Sequence, residues 1–85
     1  MGQLKNSISL SDQVSASLEN YFKNLQGQTT CDLYETVIQQ VEKPLIEAVL
    51  KHNDYNQSQT AIMLGINRNT LRKKMLKYQL TESNL

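Results

Sequence analysis

The chain has 85 residues, of which 39% are apolar and 20% are charged. These values are typical of one small globular domain and exclude a disordered tail. The single cysteine, Cys31, excludes an internal disulfide and a cysteine-built metal site, and the single histidine, His52, leaves little for zinc. The three glycines are too widely spaced for a phosphate-binding loop or a dinucleotide fingerprint. We therefore expect a protein that is not an enzyme and holds no cofactor or metal.

Neither a membrane span nor a secretory signal is predicted. The longest apolar stretch, residues 61–66, has six residues, whereas a bilayer span needs about 20. The first residues lack the apolar core of a signal peptide. We therefore expect a cytoplasmic protein.

The charge is distributed unevenly along the chain. Residues 1–50 carry three basic and six acidic side chains, a net charge of −3, whereas residues 51–85 carry six basic and two acidic ones, a net charge of +4. Between Gly65 and Leu80 there are five basic residues and no acidic one. The two halves are therefore predicted to have different roles.

The first predicted helix follows a polar arm, residues 1–9, which we expect to be flexible. Apolar residues recur every four positions at Leu10, Val14, Leu18 and Phe22. Ser9 or Ser11 is suited to cap the start of this helix. Gly27 is expected to end it at about Gln26.

The second predicted helix follows Asp32, and Glu35 stands three residues later, in the spacing of a capping box. One apolar row consists of Leu33, Val37, Val41 and Leu45. Further apolar residues lie beside this row, and such a wide apolar surface is typical of a helix that is buried on more than one side. Pro44 is expected to kink the helix rather than to end it. The helix is expected to end within residues 52–56.

Two shorter helices are predicted next, over residues 57–64 and from Arg68 to about Tyr78. Asn67 is suited to be the N-cap of the second one, and residues 81–85 are expected to form a flexible tail. No segment alternates in the manner of a β-strand. The predicted fold class is therefore all-α, with four helices.

The two short helices have the spacing of a helix-turn-helix. Ala61 supplies a small residue where the helices cross, and Gly65 allows a turn with positive φ. Leu71 supplies an apolar anchor within the second helix. The small core of the motif is predicted to be completed by Ile62, Leu64, Ile66 and Met75.

The second helix of the motif is predicted to expose side chains suited to DNA. Its outer surface carries Arg68, Asn69, Arg72 and Lys73, with Thr70 nearby. Arginine and asparagine are the side chains that read base edges in the major groove. Lys74 and Lys77 are placed where they can meet phosphates, and a further phosphate can be held at the start of the first helix by Asn56 and Ser58.

Residues 10–80 resemble the Fis family of bacterial nucleoid-associated DNA-binding proteins. Four runs carry the resemblance, namely residues 20–22, 32–35, 41–45 and 65–74. It extends beyond the helix-turn-helix, unlike the similarity to enhancer-binding activators that share only the C-terminal motif. It implies a homodimeric transcription regulator that binds and bends double-stranded DNA. The implied sites are degenerate, with G and C at the ends and an A/T-rich centre.

The resemblance also implies a division of the chain and a set of contacts. Residues 10–53 are expected to form the dimerisation region and residues 54–80 the DNA-binding region. The implied dimer core contains Leu18, Phe22, Leu33, Val37, Val41 and Leu45. The implied base-contacting residues are Asn67 and Arg68. The residues implied at phosphates or on the flank of the site are Asn56, Ser58, Thr70, Arg72, Lys73, Lys74 and Lys77.

Ser58 stands where the family usually has threonine, and three further positions depart from the family pattern. Asp54 and Gln59 stand where most members have a basic residue, and Tyr55 stands in place of a glycine. We therefore expect weaker contacts to flanking DNA. The segment before the first helix is also expected to be too short for the hairpin that activates DNA invertases in some members.

The alternative function is a helical protein-interaction module. The acidic first half and the wide apolar surface of the second helix favour it. In that case the basic helix docks an acidic partner such as RNA polymerase.

Overall fold

The computed structural model describes residues 9–80, which contain four α-helices and no strand. The helices are α1 (Leu10–Leu25), α2 (Leu33–His52), α3 (Gln57–Leu64) and α4 (Arg68–Tyr78). The prediction of an all-α fold with four helices is therefore confirmed. The predictions for residues 1–8 and 81–85 lie outside the described residues. In the part of the chain that is described, no helix has the length and apolar character needed to cross a membrane.

The chain divides into two compact units, with the boundary between Cys31 and Asp32. The described part of the first unit is α1 with the turn that follows it. The side chain of Ser9 accepts a hydrogen bond from the backbone N–H of Asp12 at 3.2 Å, which confirms one of the two predicted caps. The last helical residue is Leu25, and Gln26 follows it as a left-handed C-cap, which agrees with the predicted end at about Gln26.

The predicted capping box at the start of α2 is wrong. Asp32 adopts a left-handed backbone with φ of 55°, and its side chain makes no capping hydrogen bond. A capping side chain reaches the first free N–H groups from an extended backbone, which Asp32 does not have. Its carbonyl oxygen instead accepts hydrogen bonds from the N–H and the hydroxyl of Thr36, both at 3.0 Å. The predicted continuation of the helix through Pro44 is confirmed.

The second unit packs α2, α3 and α4 around one small apolar core. Its buried apolar residues are Ile46, Leu50, Ala61, Leu71, Met75, Tyr78 and Leu80. Thr60 is also fully buried, and its hydroxyl accepts a hydrogen bond from the Asn53 amide at 3.4 Å. This core holds the three helices of the unit together and positions the outer surface of α4.

Two apolar residues of α3 lie outside this core. Ile62 is 73% exposed and Met63 is 57% exposed, so the predicted place of Ile62 in the core is wrong. The helix has eight residues, and it turns Thr60 and Ala61 inward. The next two side chains are rotated by about 100° each, which carries them away from the core. Leu64 and Ile66 pack against the core as predicted.

Candidate nucleic-acid interface

The turn between α3 and α4 is closed by backbone hydrogen bonds. The carbonyl oxygen of Ala61 accepts from the N–H of Gly65 at 2.9 Å and from the N–H of Ile66 at 3.0 Å. Gly65 adopts a φ of +78°, which costs a residue with a Cβ more than it costs glycine. Ala61 and Leu71 are buried on the inner sides of the two helices. The predicted helix-turn-helix spacing is therefore present, with α4 in the position of the recognition helix.

Each helix of the motif starts with an asparagine cap. The amide oxygen of Asn56 accepts the N–H of Gln59 at 3.0 Å, and the amide oxygen of Asn67 accepts the N–H of Thr70 at 2.8 Å. An asparagine amide has both an acceptor and two donor hydrogens. The caps use only the oxygens, so the NH₂ groups of both residues remain available to an acceptor such as a phosphate or a base edge.

The buried residues of α4 show which side of the helix faces outward. Leu71, Met75 and Tyr78 point into the core. With 100° between successive residues, the positions opposite this face are those of Asn69, Lys73 and Leu76. These three side chains are exposed and, together with Arg72, line one shallow surface depression.

Two members of this surface were not assigned a DNA contact from the sequence. The sequence predicts Asn69 on the outer surface among side chains suited to DNA without a particular contact, and it does not single out Leu76. Leu76 is 68% exposed although it is a large apolar residue. Its spacing of three from Lys73 and seven from Asn69 is the signal that places it on the same helical stripe.

The predicted basic residues separate into two sets. In residues 9–80, the side chains of Arg68, Arg72 and Lys73 are exposed and form no ion pair. Lys74 and Lys77, in contrast, each bind a carboxylate of α2. The first set is therefore free to meet a polyanion, whereas each lysine of the second set is already paired with a carboxylate.

The contacts of the second set are short. The Lys74 Nζ lies 2.9 Å from an Oε2 of Glu42, and the Lys77 Nζ lies 2.9 Å from the Oε2 of Glu35. The hydroxyl of Tyr78 donates to the Oε1 of Glu42 at 2.6 Å. These pairs were not predicted, because the partners are far apart in the sequence.

The pKa values of these groups follow from the contacts. The hydrogen bond from Lys74, followed by the one from Tyr78, lowers the pKa of the Glu42 carboxyl. The hydrogen bond from Lys77 lowers the pKa of Glu35, and the same bond raises the pKa of Lys77. The bond to Glu42 is the main cause that raises the pKa of Tyr78. All four shifts favour the paired state near neutral pH.

The segment before α3 has an unfavourable backbone conformation. Asp54 and Tyr55 have φ values of 53° and 64°, so two successive residues are left-handed. Such a backbone favours glycine and disfavours a bulky aromatic residue. Tyr55 is nevertheless partly buried and packs against the core, which offsets part of this cost.

Two further residues predicted to contact phosphates lie at the surface of the motif. Ser58 is exposed and Thr70 is partly exposed.

The predicted dimer-core residues are not buried within one chain. Phe22 is 51% exposed and Leu45 is 50% exposed. The remaining four residues of the set are partly exposed: Leu18, Leu33, Val37 and Val41. The assignment of these six residues to a dimer core stays a prediction.

Comparisons with known proteins agree with this architecture. The family described as "Bacterial regulatory protein, Fis family" matches residues 37–78. The chain is 51% identical over 69 residues to proteins named DNA-binding protein Fis from Yersinia enterocolitica, Enterobacter sp. strain 638 and Pectobacterium carotovorum. Each alignment covers 81% of this chain and 70% of the relative. The chain therefore belongs to the Fis family of bacterial regulatory proteins.

Proposed function

We propose that this protein is a nucleoid-associated transcription regulator that binds double-stranded DNA by inserting α4 into the major groove. The exposed set of Arg68, Arg72 and Lys73, free of ion pairs in residues 9–80, is the observation that carries the proposal. Free cations on one face of a recognition helix release counterions when they meet phosphates, which favours association with DNA. Family membership and the name of the relatives support the same function.

The base contacts are proposed at the start of α4. Asn67 keeps its NH₂ group free while its oxygen caps the helix, and Arg68 is exposed one residue later. An arginine can donate two parallel hydrogen bonds to a guanine edge, whereas an amide suits an adenine edge. These two residues are therefore proposed to read bases at the ends of the site.

The phosphate contacts are proposed on both sides of the two base-contacting residues. Asn56 and Ser58 stand at the start of α3, where the free N–H groups of the helix favour an anion. Thr70, Arg72 and Lys73 supply contacts along α4. Lys74 and Lys77 are left out of these phosphate contacts, because their ammonium groups already bind carboxylates of α2.

The protein is proposed to act as a homodimer that bends its site. Large apolar side chains of α1 and α2, including Phe22 and Leu45, are half exposed in the single chain. Burying such side chains against a second copy is favourable by about 25 cal/mol per Å² of apolar surface. Two copies then present two recognition helices, and the DNA bends so that both can enter major grooves.

A binding titration with two duplexes tests the proposal. One duplex has G and C at the ends of an A/T-rich centre, and the other has the same bases scrambled. We expect tighter binding to the first duplex, two chains per duplex and a steep loss of affinity with added salt. Equal binding to both duplexes contradicts base reading. Absence of binding to either contradicts the proposed function and favours an interaction module for an acidic partner such as RNA polymerase.

A further inference from the structure

Two carboxylates of α2 hold the C-terminal half of α4. Glu42 receives two contacts from that helix, the Lys74 ammonium at 2.9 Å and the Tyr78 hydroxyl at 2.6 Å. Glu35, seven residues earlier on α2, receives the Lys77 ammonium at 2.9 Å. The carboxylates therefore lie two turns apart on the same side of α2.

The rotation of the side chains around α4 separates this contact from the outer face. Thr70, Lys74 and Lys77 lie at spacings of four and three, so they form one stripe on the flank of α4. Lys73 and Asn69 form another stripe, four residues apart, opposite the buried residues. A lysine on the first stripe reaches α2, whereas a lysine on the second stripe reaches solvent.

The degree of burial differs between the two pairs. The side chains of Lys74 and Glu42 are 31% and 22% exposed, whereas those of Lys77 and Glu35 are 45% and 50% exposed. Exposed ion pairs contribute little to the free energy of folding. A partly buried pair that has additional hydrogen bonds holds its side chains in a better-defined position. Glu42, which is hydrogen-bonded from two side chains, is therefore the main anchor.

We infer that Glu42 is a positioning residue for DNA recognition, that Lys74 holds α4 against α2 through it, and that Lys77 adds a weaker contact to Glu35, so that neither lysine neutralises a phosphate. The inference rests on the proposed function. It assigns the phosphate contacts of α4 to Arg72 and Lys73 and leaves the two clamped lysines outside the contact set. Glu42 then acts on DNA only through the orientation of α4.

The inference and its alternative predict opposite effects of Glu42→Gln. If Lys74 positions α4, loss of the carboxylate loosens the helix and lowers the affinity for the preferred duplex severalfold. If Lys74 contacts a phosphate, loss of the carboxylate frees the lysine and raises the affinity. Glu47→Gln is the matched control, since it removes the same charge from α2. Glu47 pairs with Lys51 of its own helix at 4.0 Å.

The salt dependence of binding provides the second readout. We measure the slope of log K against log salt concentration for Lys74→Gln, Lys77→Gln and Lys73→Gln on the preferred duplex. Lys73→Gln is expected to reduce the slope by about one unit, as loss of one phosphate contact does. Lys74→Gln and Lys77→Gln are expected to leave the slope unchanged. A reduction by about one unit in either variant overturns the inference for that lysine.

A charge reversal keeps the test valid if a single variant folds poorly. Lys74→Glu alone is expected to lose DNA binding, and the double variant Glu42→Lys, Lys74→Glu is expected to regain a large part of it. The regained ion pair again orients α4, although the hydrogen bond from Tyr78 is lost. If Lys74 faced a phosphate, the reversed pair would place a carboxylate there, so a folded double variant without DNA binding overturns the inference.

The outcomes separate the inference from the function on which it rests. Absence of DNA binding by the unmodified protein overturns both. Normal binding by the unmodified protein together with an affinity of Glu42→Gln equal to or higher than that of Glu47→Gln overturns only the role of Glu42. Circular dichroism and thermal unfolding of every variant show whether the chain is folded at the temperature of the titration.

Discussion

The amide oxygen of Asn67 lies 2.8 Å from the backbone nitrogen of Thr70 and accepts its hydrogen. The residue therefore satisfies one of the free N–H groups at the start of α4. Its NH₂ group makes no hydrogen bond within residues 9–80. Under the proposed function, one side chain would thus begin the recognition helix and donate to a base at the same time, so the position of the helix would be coupled to the base contact.

Replacing Asn67 by serine separates these two roles. Serine caps a helix about as well as asparagine, so Asn67→Ser should leave the free energy of unfolding unchanged within about 0.5 kcal/mol. The hydroxyl cannot form the two hydrogen bonds of an amide, and the affinity for the preferred duplex should fall by about 1–3 kcal/mol. Urea unfolding and a duplex titration measure the two quantities. Unchanged affinity would remove Asn67 from the base-reading residues.

Arg68→Ala should reduce both affinity and base discrimination. We expect a loss of about 1–3 kcal/mol on the preferred duplex and a smaller loss on the scrambled one. Lys51→Ala is a suitable control, because it removes one exposed positive charge from α2, outside the helix-turn-helix. An equal loss on both duplexes for Arg68→Ala would make Arg68 a phosphate contact.

Gly65→Ala should destabilise the fold through its backbone alone. The φ of +78° costs an L-residue about 1–2 kcal/mol, and reduced freedom of the unfolded chain returns about 0.4–1 kcal/mol of this. Within residues 9–80, no atom beyond the two chain neighbours lies within 4 Å of the added Cβ, so no steric clash with these residues contributes. The net loss should be about 1 kcal/mol by urea unfolding. Gly65→Asn should lose less, because asparagine tolerates the left-handed region better; a larger loss would indicate another cause.

Leu45→Glu should yield a monomer if α2 contributes to a dimer core. Leu45 is 50% exposed in the single chain, so the single chain tolerates a charge there. The same charge inside a dimer core is costly to bury. Sedimentation equilibrium of Leu45→Glu should give the mass of one chain, while Gln40→Glu on the exposed side of α2 should keep the mass of two. A dimeric Leu45→Glu would exclude Leu45 from the interface.

The free energy of unfolding should fall in acid, in part because of Glu42. Hydrogen bonds from Lys74 and Tyr78 lower the pKa of this carboxyl in the folded chain. The Glu42 carboxyl therefore binds its proton more tightly in the unfolded chain than in the folded chain. Its contribution to the free energy of unfolding is complete above the unfolded pKa of about 4.3, and it is lost as pH falls through the lower folded pKa. Urea unfolding between about pH 6 and pH 2 measures this loss. Glu42→Gln should show a shallower loss, and parallel curves would contradict the assignment.

Helix bounds, caps and turns, which depend on residues close together in the sequence, agree with their predictions in most cases. The bounds of α3 and α4, the cap at Asn67 and the turn at Gly65 agree with the structure. These features follow from apolar periodicity, capping preference and the freedom of glycine, all of which act over about one helical turn. Asp32 shows the limit of this reasoning, because the capping spacing was present while its backbone was left-handed.

The partners of the charged side chains came only from the packing of α2 against α4. Lys77 and Glu35 are 42 residues apart, and Tyr78 and Glu42 are 36 residues apart. A sequence pattern places a lysine on a helix face but does not state which other helix approaches that face. The amino-acid order thus settled the family, the helices and the recognition motif, because these depend on local chemistry. Which cations of α4 remain free of ion pairs in residues 9–80 was settled by tertiary contacts, because pairing of charges depends on distance in space.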